Sequence, residues 1–150
     1  MSEWILCERD SDGKRILVEY DATLTDEAFR VVYPYCALLT VNGFECNSNG
    51  LPTSAANDKL QKLKDAIEKA LQGSGGALAV MIASNGHFGY VTYVSQAGDA
   101  IAFEKAAVAG GLTVAHLGGE IDPEWASYKV WALSPEDLEE ARRRPKPATQ

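Results

Sequence analysis

The sequence predicts an α+β fold in which two helices pack against one antiparallel sheet. Three observations lead there. Residues 34–118 run as strand, helix, strand, tight turn, strand, helix, strand, judged from apolar periodicity and length. The middle turn is Ser84-Asn85-Gly86-His87, and Asn-Gly is the favoured pair for a two-residue hairpin because both residues accept positive φ. Glycine clusters, Gly73-Ser74-Gly75-Gly76 and Gly110-Gly111, close both helical patterns.

Each element has its own physical signature. Trp4–Glu8 and Arg15–Tyr20 read as short strands joined by Asp10-Ser11-Asp12-Gly13, residues that tolerate tight bends. Thr25 caps a helical turn over Asp26–Phe29. Tyr35–Val41 is a continuous apolar strand, ended by the loop Asn47–Pro52. The first long helix spans about Thr53 to Gln72, and Leu60, Leu63, Ile67 and Leu71 recur at spacings of three and four, which places them on one buried stripe. The strands 78–83 and 88–94 flank the Asn-Gly turn, whose geometry sets Ser84 against His87, Ile82 against Gly89 and Val80 against Val91. A second helix, capped by Asp99, carries Ile101, Phe103, Ala107 and Val108, and Leu112–Leu117 returns as a strand. Ser134-Pro135-Glu136-Asp137 starts a last helix, with serine as cap and proline in the first turn.

The core order β-α-β-β-α-β is that of a ferredoxin-like two-layer sandwich, here with two extra N-terminal strands and a C-terminal helix. In that topology the strands at 35–41 and 88–94 are central and antiparallel, with 78–83 and 112–117 outside them. The chain has 150 residues and no linker divides it, so the expectation is a single domain over 1–150 with a frayed tail at 145–150.

Composition narrows the function classes. The hydrophobic fraction is 46% and the charged fraction 23%, as in globular proteins, and no apolar run approaches the roughly 20 residues that span a bilayer. No basic, apolar leader opens the chain, so the cytoplasm is the expected compartment. The formal net charge is −7, and it is uneven: residues 1–141 carry 21 acids and 10 bases, a net −11, while Arg142, Arg143, Arg144 and Lys146 follow. An acidic body repels phosphate backbones, which argues against nucleic acid as the main ligand. The terminal arginines complement the dipole of the last helix.

No metal or cofactor is expected. Cys7, Cys36 and Cys46 lack C-x-x-C spacing, and Cys7 and Cys36 fall inside strands, where a thiol behaves as a small hydrophobe. The two histidines, His87 beside the hairpin turn and His116 within a strand, have no serine, cysteine or glutamate motif beside them. The glycines at 73–76 end a helix and open a strand, which excludes a phosphate loop. A small enzyme or ligand-binding domain with a site near His87 or His116 is the alternative to a binding protein.

Gly50-Leu51-Pro52 before a helix, a strand ending in Tyr90 and Tyr93, and Asp122-Pro123-Glu124-Trp125 with Tyr128 resemble a bacterial family known as domain of unknown function 695. The resemblance covers roughly residues 14–134, and the D-P-E-W segment is its most specific part. The family looks related to the regulator of ribonuclease E activity B, a small acidic protein. It implies a ferredoxin-like fold and no catalytic residue; the roles it suggests are inhibition of a nuclease or an immunity-like pairing with a toxin.

The segment D-P-E-W-A-S-Y has two readings. In one, Asp122 caps a helix, Pro123 takes its first position, and Trp125 and Tyr128 close the end of the core. In the other, Glu120, Asp122, Glu124, Trp125, Tyr128 and Trp131 form an acidic, aromatic surface that binds a basic protein such as a nuclease or toxin.

Overall fold

The computed structural model describes residues 3–11, 13–132 and 143. The helix expected from Ser134 and the rest of the basic tail lie outside the described residues. Two strands, β1 (Trp4–Ser11) and β2 (Lys14–Asp21), precede a short helix α1 (Glu27–Val32). Then come β3 (Tyr35–Asn42), the long helix α2 (Ser54–Ser74), the hairpin β4 (Ala77–Ser84) and β5 (His87–Val94), a 3₁₀ turn at Ala97–Ala100 and α3 (Ile101–Ala109). Strand β6 (Thr113–Ile121) and α4 (Ala126–Trp131) complete the described part.

All six strands form one antiparallel sheet in the order β1-β2-β4-β5-β3-β6. The strands at 35–42 and 87–94 are therefore neighbours and antiparallel, with 77–84 and 113–121 outside them, as the element order predicts. The β1–β2 hairpin extends the sheet beyond β4. Around the Asn85-Gly86 turn the pairs are Ser84 with His87, Ile82 with Gly89 and Val80 with Val91, in the register the turn chemistry requires. Asn85 and Gly86 both have positive φ, 49° and 81°. The Gly86 N–H also donates to the Gly50 carbonyl at 2.7 Å, which fastens the turn to the loop preceding α2.

One face of the sheet is covered by α2 and α3. Leu60, Leu63, Ile67 and Leu71 are all buried there, as their spacing predicts, and pack with Leu39, Val41, Tyr90, Phe103 and Leu112. Thr53 caps α2 by accepting the Ala56 N–H, and Gly75 ends it. The buried Tyr90 hydroxyl donates to the Leu60 carbonyl at 2.8 Å, giving its polar tip a partner inside the core.

The opposite face is not bare, and here the two-layer expectation needs amending. Val18, Tyr20, Val80, Val91, Tyr93, Trp125 and Tyr128 build a second apolar cluster, with Phe29 and Tyr33 from the α1 end packed against it. The short helices α1 and α4 thus cover part of the second face. Four boundaries also shift. Strand β1 runs on to Ser11, so that Asp10 and Ser11 pair with Arg15 and Lys14 instead of lying in the turn. Asp26, not Thr25, caps the helix after β2. Asp99 lies inside the 3₁₀ turn and accepts a hydrogen bond from the Ser95 hydroxyl instead of capping α3. Strand β6 continues through Gly118-Gly119 to Ile121, four residues beyond its expected end. At Gly119 a side chain is excluded, because a Cβ there would strike the Cys36 carbonyl and the Ala37 Cα of β3.

Candidate functional site

The segment from Glu120 to Trp131 leaves the end of β6, turns, and lays α4 over the second face beside β2 and β4. The turn is bonded at both ends. Asp122 N–H donates to the Pro34 carbonyl at 2.6 Å, and Trp125 N–H returns to the Asp122 carbonyl at 3.0 Å. Pro123 and Glu124 occupy this turn, so the helix begins at Ala126 and not at Pro123.

Asp122 still caps α4, from three residues further back. Its Oδ1 accepts the Ala126 N–H at 2.8 Å and its Oδ2 the Ser127 N–H at 3.1 Å. The Tyr93 hydroxyl donates to the same Oδ2 at 2.8 Å and accepts the Tyr128 N–H at 3.1 Å. Burial works to raise the Asp122 pKa, but the Ser127 and Ala126 amides and the Tyr93 hydroxyl outweigh it and hold the carboxyl below its ordinary value.

Trp125 adopts left-handed backbone, φ 56° and ψ 44°, which is costly for a bulky side chain. The strain is held in place by contacts around the indole. It stacks on Tyr93 with centroids 3.9 Å apart and meets Phe29 and Tyr128 edge-on. Its Nε1–H donates to the Tyr33 carbonyl at 3.0 Å, and the Arg30 guanidinium lies 5.6 Å from its centroid. At the far end, Arg9 of β1 closes α4: its guanidinium donates to the Trp131 and Val130 carbonyls at 2.7 and 3.2 Å and lies over the Trp131 ring.

The six residues of the expected surface therefore divide. Trp125 is fully buried, and Tyr128 and Asp122 are nearly so, each with its polar atoms bonded inside the protein. In this conformation none of the three offers a side chain to a partner, which corrects their placement in a surface patch. Glu120 and Glu124 are exposed, and Trp131 is half-buried. Between the two glutamates in sequence stands Ile121, 68% exposed, which sequence reasoning did not single out. Tyr93, Tyr33 and Arg9 were also missed as parts of this site; only the recurrence of Tyr93 alongside the D-P-E-W segment pointed to one of them.

The histidines are not brought together. His87 is exposed, with its ring beside the Asn85 carbonyl, and His116 is exposed on β6. A hollow of about 200 Å³ between β3, β6 and the 3₁₀ turn is lined by Tyr35, Ala37, Ala97, Ala100, Leu117 and Gly118, and by neither histidine. Among the described residues no three His, Cys, Asp or Glu side chains are grouped as a metal site. Cys36 is buried and Cys7 half-buried, and burial pushes both thiols up, away from the reactive thiolate. Cys46 is half-buried near the Phe44 carbonyl. Among the described residues no helix is long and apolar enough to cross a membrane.

The buried phenols give the protein a pH signature. Burial, then Asp21 and Tyr20, push Tyr128 up to about 12 against a smaller opposing effect of Arg30, and burial also raises Tyr90 and Tyr93. A phenol whose folded pKa lies above its unfolded value of about 10 binds its proton more tightly in the native state. Its contribution to stability is complete below about pH 10 and is lost as pH rises toward the folded value. For Asp122 the sign is opposite: its contribution holds above about pH 4 and is lost as acid carries the pH down through its lowered folded value. The melting temperature is therefore expected to fall steeply between about pH 10 and 12, with tyrosinate absorbance from the buried rings appearing only as the protein unfolds. Early titration of every tyrosine in the folded protein would contradict this arrangement.

The model of a family of unknown function, DUF695, matches residues 2–131, and the chain belongs to that family. No curated protein and no solved structure matches it.

Proposed function

We propose that this DUF695 member is a non-catalytic regulator that acts by binding a basic protein, as an inhibitor or immunity-like partner of a protein such as a nuclease. The observation that carries this reading is the construction of the segment 120–125, the end of β6 and the turn after it. Its buried residues, Asp122 and Trp125, are fixed by hydrogen bonds and stacking, while Glu120, Ile121 and Glu124 project to solvent. A contact loop already held in one conformation loses little freedom on binding, so more of its interaction energy appears as affinity. Two carboxylates flanking an exposed isoleucine supply a charged rim around an apolar contact, and Trp131 adds a half-buried aromatic nearby.

The net charge of −7 supports the choice of a basic partner, because opposite charge steers diffusional encounter. The order β4-β5-β3-β6 and the helices α2 and α3 support a ferredoxin-like reading of the fold. The likeness of that fold and of the acidic composition to the regulator of ribonuclease E activity B supports a bacterial, cytoplasmic regulator. His87 and His116, the alternative centres for a small enzyme, do not line the ≈ 200 Å³ hollow, although the His116 ring lies beside Gly118 at its wall.

The test begins with affinity capture from the native cell and continues with kinetics on the purified pair. Association is expected to slow as salt rises, because the Debye length falls from about 10 Å at 0.1 M to about 3 Å at 1 M. Reversing both exposed acids, Glu120→Lys with Glu124→Lys, is expected to cut the association rate by about tenfold or more while the melting temperature hardly changes. Asp122 is left intact, since its loss would unfold α4 and confuse folding with binding. An unchanged association rate in the folded double variant would remove this loop from the interface.

A further inference from the structure

The two edges of the sheet are built differently. At one edge, β1 carries Glu8 and Arg9, which engage Arg15 and the end of α4. Charged residues of this kind blunt an edge against pairing with another chain. At the other edge, β6 bonds to β3 and ends the sheet. Its nine residues, Thr113–Ile121, hold no lysine or proline, and their one formal charge is Glu120 near the far end. Among the described residues no strand pairs with the outer row of peptide groups on β6, which presents a template for a further strand.

The helix packed over this edge carries a second signal. Helix α3 sits on β3 and β6 through Phe103 and Ala107. Its opposite side is not polar throughout: Ile101 is 53% and Val108 62% exposed, with exposed Glu104 and Lys105 between them. Spacings of three, four and seven put these four side chains on one helix face. The pattern I-x-x-E-K-x-x-V reads as its own complement when reversed. An antiparallel second copy sets Ile101 on Val108 and Glu104 on Lys105, twice over about a twofold axis.

We infer that the β6 edge and the outer face of α3 form a self-complementary surface that binds a second copy of this chain. The occupant is specified by the charge order, since an isologous twofold contact requires that each residue meet its complement on the same surface. A Glu-Lys pair flanked by two apolar residues satisfies that requirement, and an edge strand beside it that is uncharged from Thr113 to Gly119 can continue the sheet across the axis. The proposed partner-binding residues begin only at Glu120 and Ile121, the last two residues of β6, whereas α3 and residues 113–119 of the strand lie outside them.

The experiment is sedimentation velocity on the full chain over a wide concentration range, with charge swaps on α3. The wild-type protein is expected to show a concentration-dependent monomer–dimer equilibrium. Glu104→Lys and Lys105→Glu, each placing like charges across the axis twice, are expected to weaken the dimer by about tenfold. The double swap, Glu104→Lys with Lys105→Glu, restores complementarity and is expected to recover wild-type affinity. Because both side chains are exposed, all three variants should melt like the wild type. A chain that stays monomeric at every concentration overturns the inference. Single swaps that leave the dimer unchanged, or a double swap that fails to rescue, place any dimer contact elsewhere and overturn it equally. None of these outcomes depends on whether the acidic loop binds a basic protein.

Discussion

Trp125→Ala is expected to cost about 3–5 kcal/mol in a denaturant melt, as large aromatic truncations in a core do. The indole is fully buried, stacks on Tyr93, touches Phe29 and Tyr128 edge-on, and donates its N–H to the Tyr33 carbonyl. Removing it opens a cavity between α1, β5 and α4 and leaves a part-buried carbonyl without its donor. Part of the loss is offset if backbone strain is relieved as well. Alanine keeps the penalty of the left-handed conformation, whereas glycine does not, so Trp125→Gly is expected to be less damaging than Trp125→Ala by roughly 1 kcal/mol. A loss below about 1 kcal/mol for the alanine variant would show that the second cluster contributes little to stability.

Leu63→Ala is expected to cost about 2–5 kcal/mol, because the side chain is buried at the centre of the α2 stripe. The neighbouring Lys62 is exposed, and Lys62→Ala should stay within about 0.5 kcal/mol of the wild type. The contrast between adjacent positions tests the orientation of the helix and not only its existence. Similar losses at both positions would mean that another face of α2 meets the sheet.

The sequence made the first core legible and the second largely illegible, for reasons of length and partner distance. Helix α2 is long enough for a period of 3.6 to declare itself, and the Asn85-Gly86 pair has few uses other than the turn it makes. The helices α1 and α4 have six residues each, too few for any period to emerge. Their aromatics, Phe29, Tyr33, Trp125 and Tyr128, carry both apolar bodies and polar tips or lie among charges, so a buried and an exposed reading fit equally well. Asp122 was recognisable as a capping acid, but nothing local marks Tyr93, on a different strand, as its second partner. The end of β6 was misplaced because glycine weakens strands, and Gly118-Gly119 reads as a stop. Close approach to Cys36 on β3 is what demands glycine at 119, and that contact exists only once the sheet has formed.

The strand order carries a consequence for how the chain assembles. Two pairings are local, β1 with β2 and β4 with β5, each closed by a short turn. Every other pairing joins distant segments: Leu17 meets Ala83, Tyr35 meets Val94, and Asn42 meets Thr113. Closing long loops costs entropy that is recovered only when the distant contacts are made, so such steps come late and set the pace. Strand β4 belongs to one local hairpin and receives the other along its free side, and the β4–β5 hairpin supplies β5 as the template for β3. The Asn85-Gly86 hairpin is thus the hub on which both halves of the sheet must converge, and slowing that one turn would delay the whole molecule.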